Sequence, residues 1–326
     1  MSINNIKNMS RDFRNNHRMG TISLILAAGL LLQTVAVFPA TNLTGVWIAN
    51  YSEDWPDRIP GPELGDYAGL PLNDADRLRA QSWDASLIAL PEYQCRRHPS
   101  DYANSFADIR IWEERDFATQ QLLAIRLHHF AWQSERWIWM DGRNHPPAYA
   151  RHTTMGFSTG KWEGHVLTVH TTHLKEGWLR RNGVARSDQA TVTEHFIRHG
   201  NYLTWTVVVN DPVYLEEPFI RNRDYSYSTD QQLMPYTCES VVEMVRPQGY
   251  IPHHLPGTNK FLLEFAINHR IPYEAAMGGA NTMYPEYQEE YRKLTPPPLP
   301  EGHQAPEFLL DNFFERLDRE YRPENN

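Results

Sequence analysis

Four side chains in this sequence combine proton-transfer chemistry with a spacing that lets them meet: His129, His173, Glu194 and Arg198. On a β-strand, successive side chains point to opposite faces. Leu123, Ile125, Leu127 and His129 share one face, as do Leu167, Val169, Thr171 and His173. Ala190, Val192, Glu194, Phe196 and Arg198 share another. If these apolar faces line one barrel, His129, His173 and Glu194 converge as a candidate catalytic set. Histidine titrates near neutrality, and a carboxylate beside it makes an acid–base pair. The same residues suit an internal ion pair that sets strand register, because a buried carboxylate needs a cationic or hydrogen-bonding partner.

A second concentration of polar and aromatic groups runs from Trp139 to Gly164. Asp141-Gly142-Arg143 has turn chemistry, ended by His145-Pro146. Arg143 and His145 together would suit a carboxylate or phosphate held by a forked guanidinium contact. Alternatively, Arg143 ties the turn to a neighbouring strand. Trp162 either fills core or stacks on a ligand. Arg143, His145, Trp162 and Arg198 are the candidate ligand-binding residues. Gly156-Phe-Ser158-Thr-Gly160 spells a hydrolase elbow, but that elbow needs a following helix. Here a strand follows, which argues against a nucleophilic Ser158.

The 15 histidines invite a metal reading. His170 and His173 fall on opposite faces of a strand, as do the neighbours His128-His129 and His253-His254. No H-E-x-x-H and no cysteine cluster occurs. No cofactor is expected, and a metal site could arise only from residues distant in sequence.

These residues need a scaffold. Short strands are predicted at about 44–48, 108–114, 121–131, 134–140, 164–173, 189–198, 202–210, 219–228 and 237–246, with turns at Ser134-Glu135 and His199-Gly200-Asn201. Many short strands without alternating helices indicate a mainly β, antiparallel barrel. Residues 41–246 form that domain, with a helical insertion near 73–86. Residues 247–326 form a helical extension, with helices at 258–269 and 284–293, a proline-rich spacer at 295–300 and an amphipathic helix at 307–321. That last helix needs an apolar partner, either the barrel or a second subunit in a homo-oligomer.

Residues 1–40 read as a signal peptide or an N-terminal membrane anchor. Basic residues precede an apolar run at 20–38. Either way the body is expected outside the cytoplasm, periplasmic or secreted, or anchored to the membrane. Cys95 and Cys238 form no C-x-x-C pair, and in an exported chain they read as one disulfide, with two buried thiols as the alternative. The net charge of −9 argues against a nucleic-acid partner. Ten Trp and sixteen Tyr suit strands and aromatic ligand sites.

Asp141–Pro146, Gly156–Gly164 continuing to Val169, and Thr193–Arg198 together resemble a family of uncharacterised exported bacterial proteins. Its members share D-G-R-x-H-P, G-x-S-x-G-[RK]-W-E-G-[DH]-x-L-x-V and T-E-x-[FY]-x-R. The resemblance covers about 108–246 and implies a lipocalin-like barrel without an assigned reaction; G-V-W at Gly45–Trp47 agrees with that shape. His170 departs from the Asp that the family carries in V-D-T. The expected function is binding of a small aromatic or apolar molecule in a barrel pocket. The alternatives are a hydratase, isomerase or lyase using interior His and Glu, and a structural or assembly role.

Overall fold

The computed structural model describes residues 41–50, 62–104, 108–130, 134–233 and 237–302. The leader at 1–40 and the amphipathic helix expected at 307–321 lie outside the described residues.

Apolar side chains alternate along each strand, so the strands curl around one core. They are β1 (Gly45–Ala49), β2 (Ile109–Arg115), β3 (Leu122–His129), β4 (Ser134–Trp139), β5 (Phe157–Glu163), β6 (Val166–Thr172), β7 (Gly177–Trp178), β8 (Ala185–Arg186), β9 (Thr191–His199), β10 (Tyr202–Asn210) and β11 (Phe219–Ser228). Nine of them close a barrel in the order β1-β11-β10-β9-β6-β5-β4-β3-β2, and β7 pairs only with β8. Trp47, Ile109, Leu127, Ile138, Leu167, Val169, Phe196, Trp205 and Tyr225 fill the interior, each at most 1% exposed.

The expectation of a purely antiparallel barrel needs correction, because β4 and β5 run parallel, with Ile138 opposite Ser158 and Trp139 opposite Thr159. A parallel neighbour requires a long return connection, and the segment 140–156 supplies it. The expected strand at 237–246 is also absent: that segment is irregular. The closed barrel has no free edge to receive it, since β11 pairs with β1 and β10. In exchange, β5 forms over G-F-S-T-G-K-W-E, where no strand was expected. Its Gly160 sits where an added Cβ would lie 2.6 Å from Met140 Sδ and 2.9 Å from Ile138 Cγ2, so the parallel neighbour leaves no room for a side chain.

The turn at His199-Gly200-Asn201 joins β9 to β10 as expected, with Gly200 at φ 62°. Helix α1 (Asp74–Gln81) is shorter than the expected 73–86, and Asn73 caps it, accepting from the amides of Ala75 and Asp76 at 3.0 Å. The helical extension is built of short pieces, including Glu264–His269 and Pro285–Tyr291. Its backbone bonds to the segment that precedes α1: Tyr67 N–H donates to Ala276 O at 3.0 Å and Gly69 N–H to Gly279 O at 2.9 Å.

Cys95 and Cys238 form a disulfide, with Cα atoms 5.7 Å apart. It ties the irregular strap 237–255 to the short helix Pro91–Gln94. The Gln94 side chain strengthens the tie, accepting from Val241 N–H at 2.7 Å.

Candidate functional site

Inside the barrel, strand parity brings His129 and Glu194 into one interior as expected; both are 0% exposed. Their chemistry there is already committed. Arg136 of β4 meets Glu194 of β9 through two parallel bonds, Nη1 to Oε2 and Nη2 to Oε1, both 2.8 Å. Trp205 Nε1–H donates to the same carboxylate at 2.9 Å, and Arg136 Nη1 also reaches Ser100 Oγ at 3.2 Å. This is a bidentate ion pair with its remaining acceptor capacity largely used. His129 lies against Trp205, ring centroids 5.4 Å apart, and neither ring nitrogen has a hydrogen-bond partner. Burial, together with Arg136, His128 and His98, pushes its pKa well below the ordinary value, so the imidazole is neutral. Buried residues Ser100–Asn104 cover this region, with Asn104 Nδ2 donating to Trp205 O at 3.2 Å. A second buried ion pair, Arg186 with Asp101, fastens that cover.

The inward orientation expected for His173 does not occur. Strand β6 ends at Thr172, and His173 turns into the left-handed region at φ 57°. Arg198 shares the inward parity but stands at the barrel end, its guanidinium 5.2 Å from the Trp47 ring and 5.3 Å from the Tyr227 ring. It donates to the carbonyls of Gly200 and Asn42. Trp162 is half-buried and packs on the barrel core.

Arg143 and His145 were expected to bind a ligand. Arg143 instead spans its own turn, Nε lying 2.9 Å from Asp141 Oδ1, with its guanidinium 3.5 Å from the centre of the Trp139 ring. His145 lies on the outer face of β5 and β6. Its Nε2 is 2.8 Å from Thr159 Oγ1 and its Nδ1 is 2.7 Å from Thr172 Oγ1. Thr172 Oγ1 is also 2.7 Å from His173 Nδ1, and His173 Nε2 is 3.0 Å from Pro147 O. A carbonyl only accepts, so His173 carries its proton on Nε2 and accepts at Nδ1 from Thr172. Thr172 then accepts from His145 Nδ1–H, and His145 Nε2 accepts from Thr159. The run is continuous with His145 neutral. Burial, His170 and His173 lower the His145 pKa, in agreement. D-G-R-N-H-P and G-F-S-T-G therefore bind each other on the wall of the barrel.

Three cavities of about 480, 780 and 630 Å³ have none of His129, Glu194, Arg143 or His145 in their walls. The cavity of about 780 Å³ is a groove between residues 90–96 and the strap at 242–251. Arg96, Lys175 and Arg246 enter its wall beside Tyr93, Met244 and Ile251. Tyr93 stacks on Trp178 with centroids 5.5 Å apart and planes at 15°, and Trp83 meets Trp178 edge-on at 4.9 Å. Arg96 lies 5.4 Å from the Tyr93 ring centre and 5.7 Å from that of Trp178. Its Nη2 donates to Glu176 O at 2.8 Å, which fixes the guanidinium. A smaller cavity of about 170 Å³ shares Tyr93 and Ile251 with the groove and includes Trp83 and Trp178.

Sequence reasoning did not single out Arg136 or the groove. Arg136 shares a face with Ser134 and Ile138, a parity signal that was present. For the groove the sole signal was the cysteine pairing, which brings residue 95 to residue 238. Among the described residues, no group of three or more His, Cys, Asp or Glu is arranged to hold a metal ion.

Comparison with protein-family models, with curated proteins and with solved structures returned no match.

Proposed function

We propose that this chain is a binding module for a small aromatic or apolar molecule, held in the groove between residues 90–96 and 242–251. The observation that carries the reading is the contrast between two spaces. The barrel interior is closed by the Arg136–Glu194–Trp205 network and by large apolar side chains. The groove is open, sized for a small ligand, and walled by Tyr93, Met244 and Ile251. Binding sites combine an apolar wall with a few placed polar groups, and the groove has both. Interior acid–base catalysis is the less favoured reading, because both Glu194 oxygens are occupied and His129 has no group to orient it. The disulfide supports placement in an oxidising compartment outside the cytoplasm. The G-V-W opening of β1, with Trp47 buried under Arg198, supports a lipocalin-like reading of the barrel.

The test is native mass spectrometry and small-molecule analysis of the exported protein, compared with Tyr93→Ala/Ile251→Asp. The reading expects a co-purifying aromatic or apolar compound that the variant lacks. Equal retention by the variant, at unchanged folding, would contradict it.

A further inference from the structure

We propose that the groove selects organic anions: molecules with a flat apolar body and a carboxylate, sulfonate or phosphate at one end. This rests on the groove being a ligand site at all, and adds the charge of the ligand.

Three cations line one wall system: Arg96, Lys175 and Arg246. The chain as a whole carries a net charge of −9, so its cations have acids in excess to pair with. Elsewhere they do pair: Arg79 with Glu176 at 2.7 Å, Arg180 with Asp66 at 2.8 Å, and Arg136 with Glu194. The three groove cations, like Arg198 at the barrel end, have no such partner. Arg96 spends one nitrogen on the backbone carbonyl of Glu176, and Arg246 reaches Ser86 O at 3.3 Å. Neither bond neutralises charge. Among the described residues none of the three forms an ion pair with a carboxylate, although Glu92 shares the wall. Arg246 lies in the field of Asp84, whose pKa it helps to lower, while Arg96 and Lys175 have no carboxylate partner. Together the three cations around an apolar groove create a positive potential on a negative protein, and a concave, low-dielectric wall strengthens it.

The cations are also placed for a bipartite ligand. Arg96 is held beside Tyr93 and Trp178, its guanidinium carbon 5.4 and 5.7 Å from the two ring centres, which sets a cation next to the aromatic part of the wall. Met244, Tyr250 and Ile251 of the strap supply the apolar wall, at 64%, 50% and 59% exposure. Such exposure of large apolar groups beside unpaired cations matches an amphiphilic anion better than a neutral hydrocarbon.

The experiment compares two dyes with one ring skeleton. 1-Anilinonaphthalene-8-sulfonate carries the anion, and N-phenyl-1-naphthylamine lacks it. Affinities are measured by fluorescence on the full chain, on Lys175→Gln/Arg246→Gln, and on Tyr93→Ala/Ile251→Asp as the control for groove binding. The proposal expects tighter binding of the sulfonate to the wild type. It expects the charge variant to lose about tenfold of sulfonate affinity while the neutral dye is unaffected. An unchanged ratio of the two affinities in the charge variant overturns the proposal and leaves the groove reading intact. Binding of both dyes that the Tyr93→Ala/Ile251→Asp variant does not weaken, or binding of neither, overturns both.

Discussion

Arg136 and Glu194 face each other across the closed barrel, two nitrogens to two oxygens at 2.8 Å each, on β4 and β9. The pair joins strands that are not neighbours in the barrel, so it braces the wall across the interior. Removing one partner leaves a buried uncompensated charge. Glu194→Leu is therefore expected to destabilise the chain by about 3–5 kcal/mol. The double variant Arg136→Met/Glu194→Leu should be less destabilised than Glu194→Leu alone. Urea unfolding of the single and double variants checks this. A single variant as stable as wild type would mean the pair does not brace the barrel.

Asp76 offers a pH test with a definite sign. Burial first, then the nearby Asp211, raises its pKa to about 7, against the bond from Ala185 N–H that favours the charged form. A raised acid pKa means the folded state holds the proton more tightly than the unfolded state. The contribution is fully present below the ordinary carboxylate range and is lost as pH rises through about 7. Asp76→Asn keeps an acceptor for Ala185 without the charge. It should raise the melting temperature at pH 8 and change it little at pH 4. Equal effects at both pH values would contradict the assignment.

The outer-wall relay predicts opposite tautomers for two histidines that share one threonine. His145 should carry its proton on Nδ1 and His173 on Nε2 at pH 7.5. Long-range nitrogen–proton NMR correlations distinguish these forms, and Thr172→Val should release both rings. Because the His145 pKa is lowered, its contribution is present above the ordinary histidine value of about 6.5 and is lost as pH falls below it. An Nε2 proton on His145 would break the argument.

Much of the barrel was legible, eight of its nine strands falling where strands were expected, because apolar faces alternate, as in Leu123, Ile125 and Leu127 of β3 or Val192, Glu194 and Phe196 of β9. Strand β5 was not, because its inward residues are Ser158, Gly160 and Trp162, and small residues carry no hydrophobic period. Arg136 was hidden by its neighbours: Trp137 and Trp139 point outward and stack on each other at 5.1 Å, so aromatic bulk marked the wrong face. His173 was misplaced because alternation ends with the strand, and nothing in Thr172-His173-Leu174 announces a left-handed residue. The groove was least legible. It draws on residues 90–96, 154, 175 and 242–251, which only folding and the disulfide bring together.

The disulfide holds the strap that forms the outer wall of the groove. Closing a loop across 143 residues contributes on the order of 4–5 kcal/mol in the chain-entropy account. Cys95→Ser/Cys238→Ser should lower stability and weaken binding of 1-anilinonaphthalene-8-sulfonate in the groove several-fold. Fluorescence titration beside thermal unfolding separates the two effects. Wild-type affinity in a folded double variant would show that the strap stays in place without the bond.

The central claim is that ligand meets the groove and not the barrel interior. Methyl NMR during titration with 1-anilinonaphthalene-8-sulfonate tests it most directly, because ring currents shift only the methyl groups beside the dye. The account predicts shifts at Met244, Ile251 and Leu90, with Ile109, Ile138 and Val207 unmoved. Shifts at Ile109, Ile138 and Val207 with Met244 and Ile251 unmoved would place the ligand inside the barrel and contradict it.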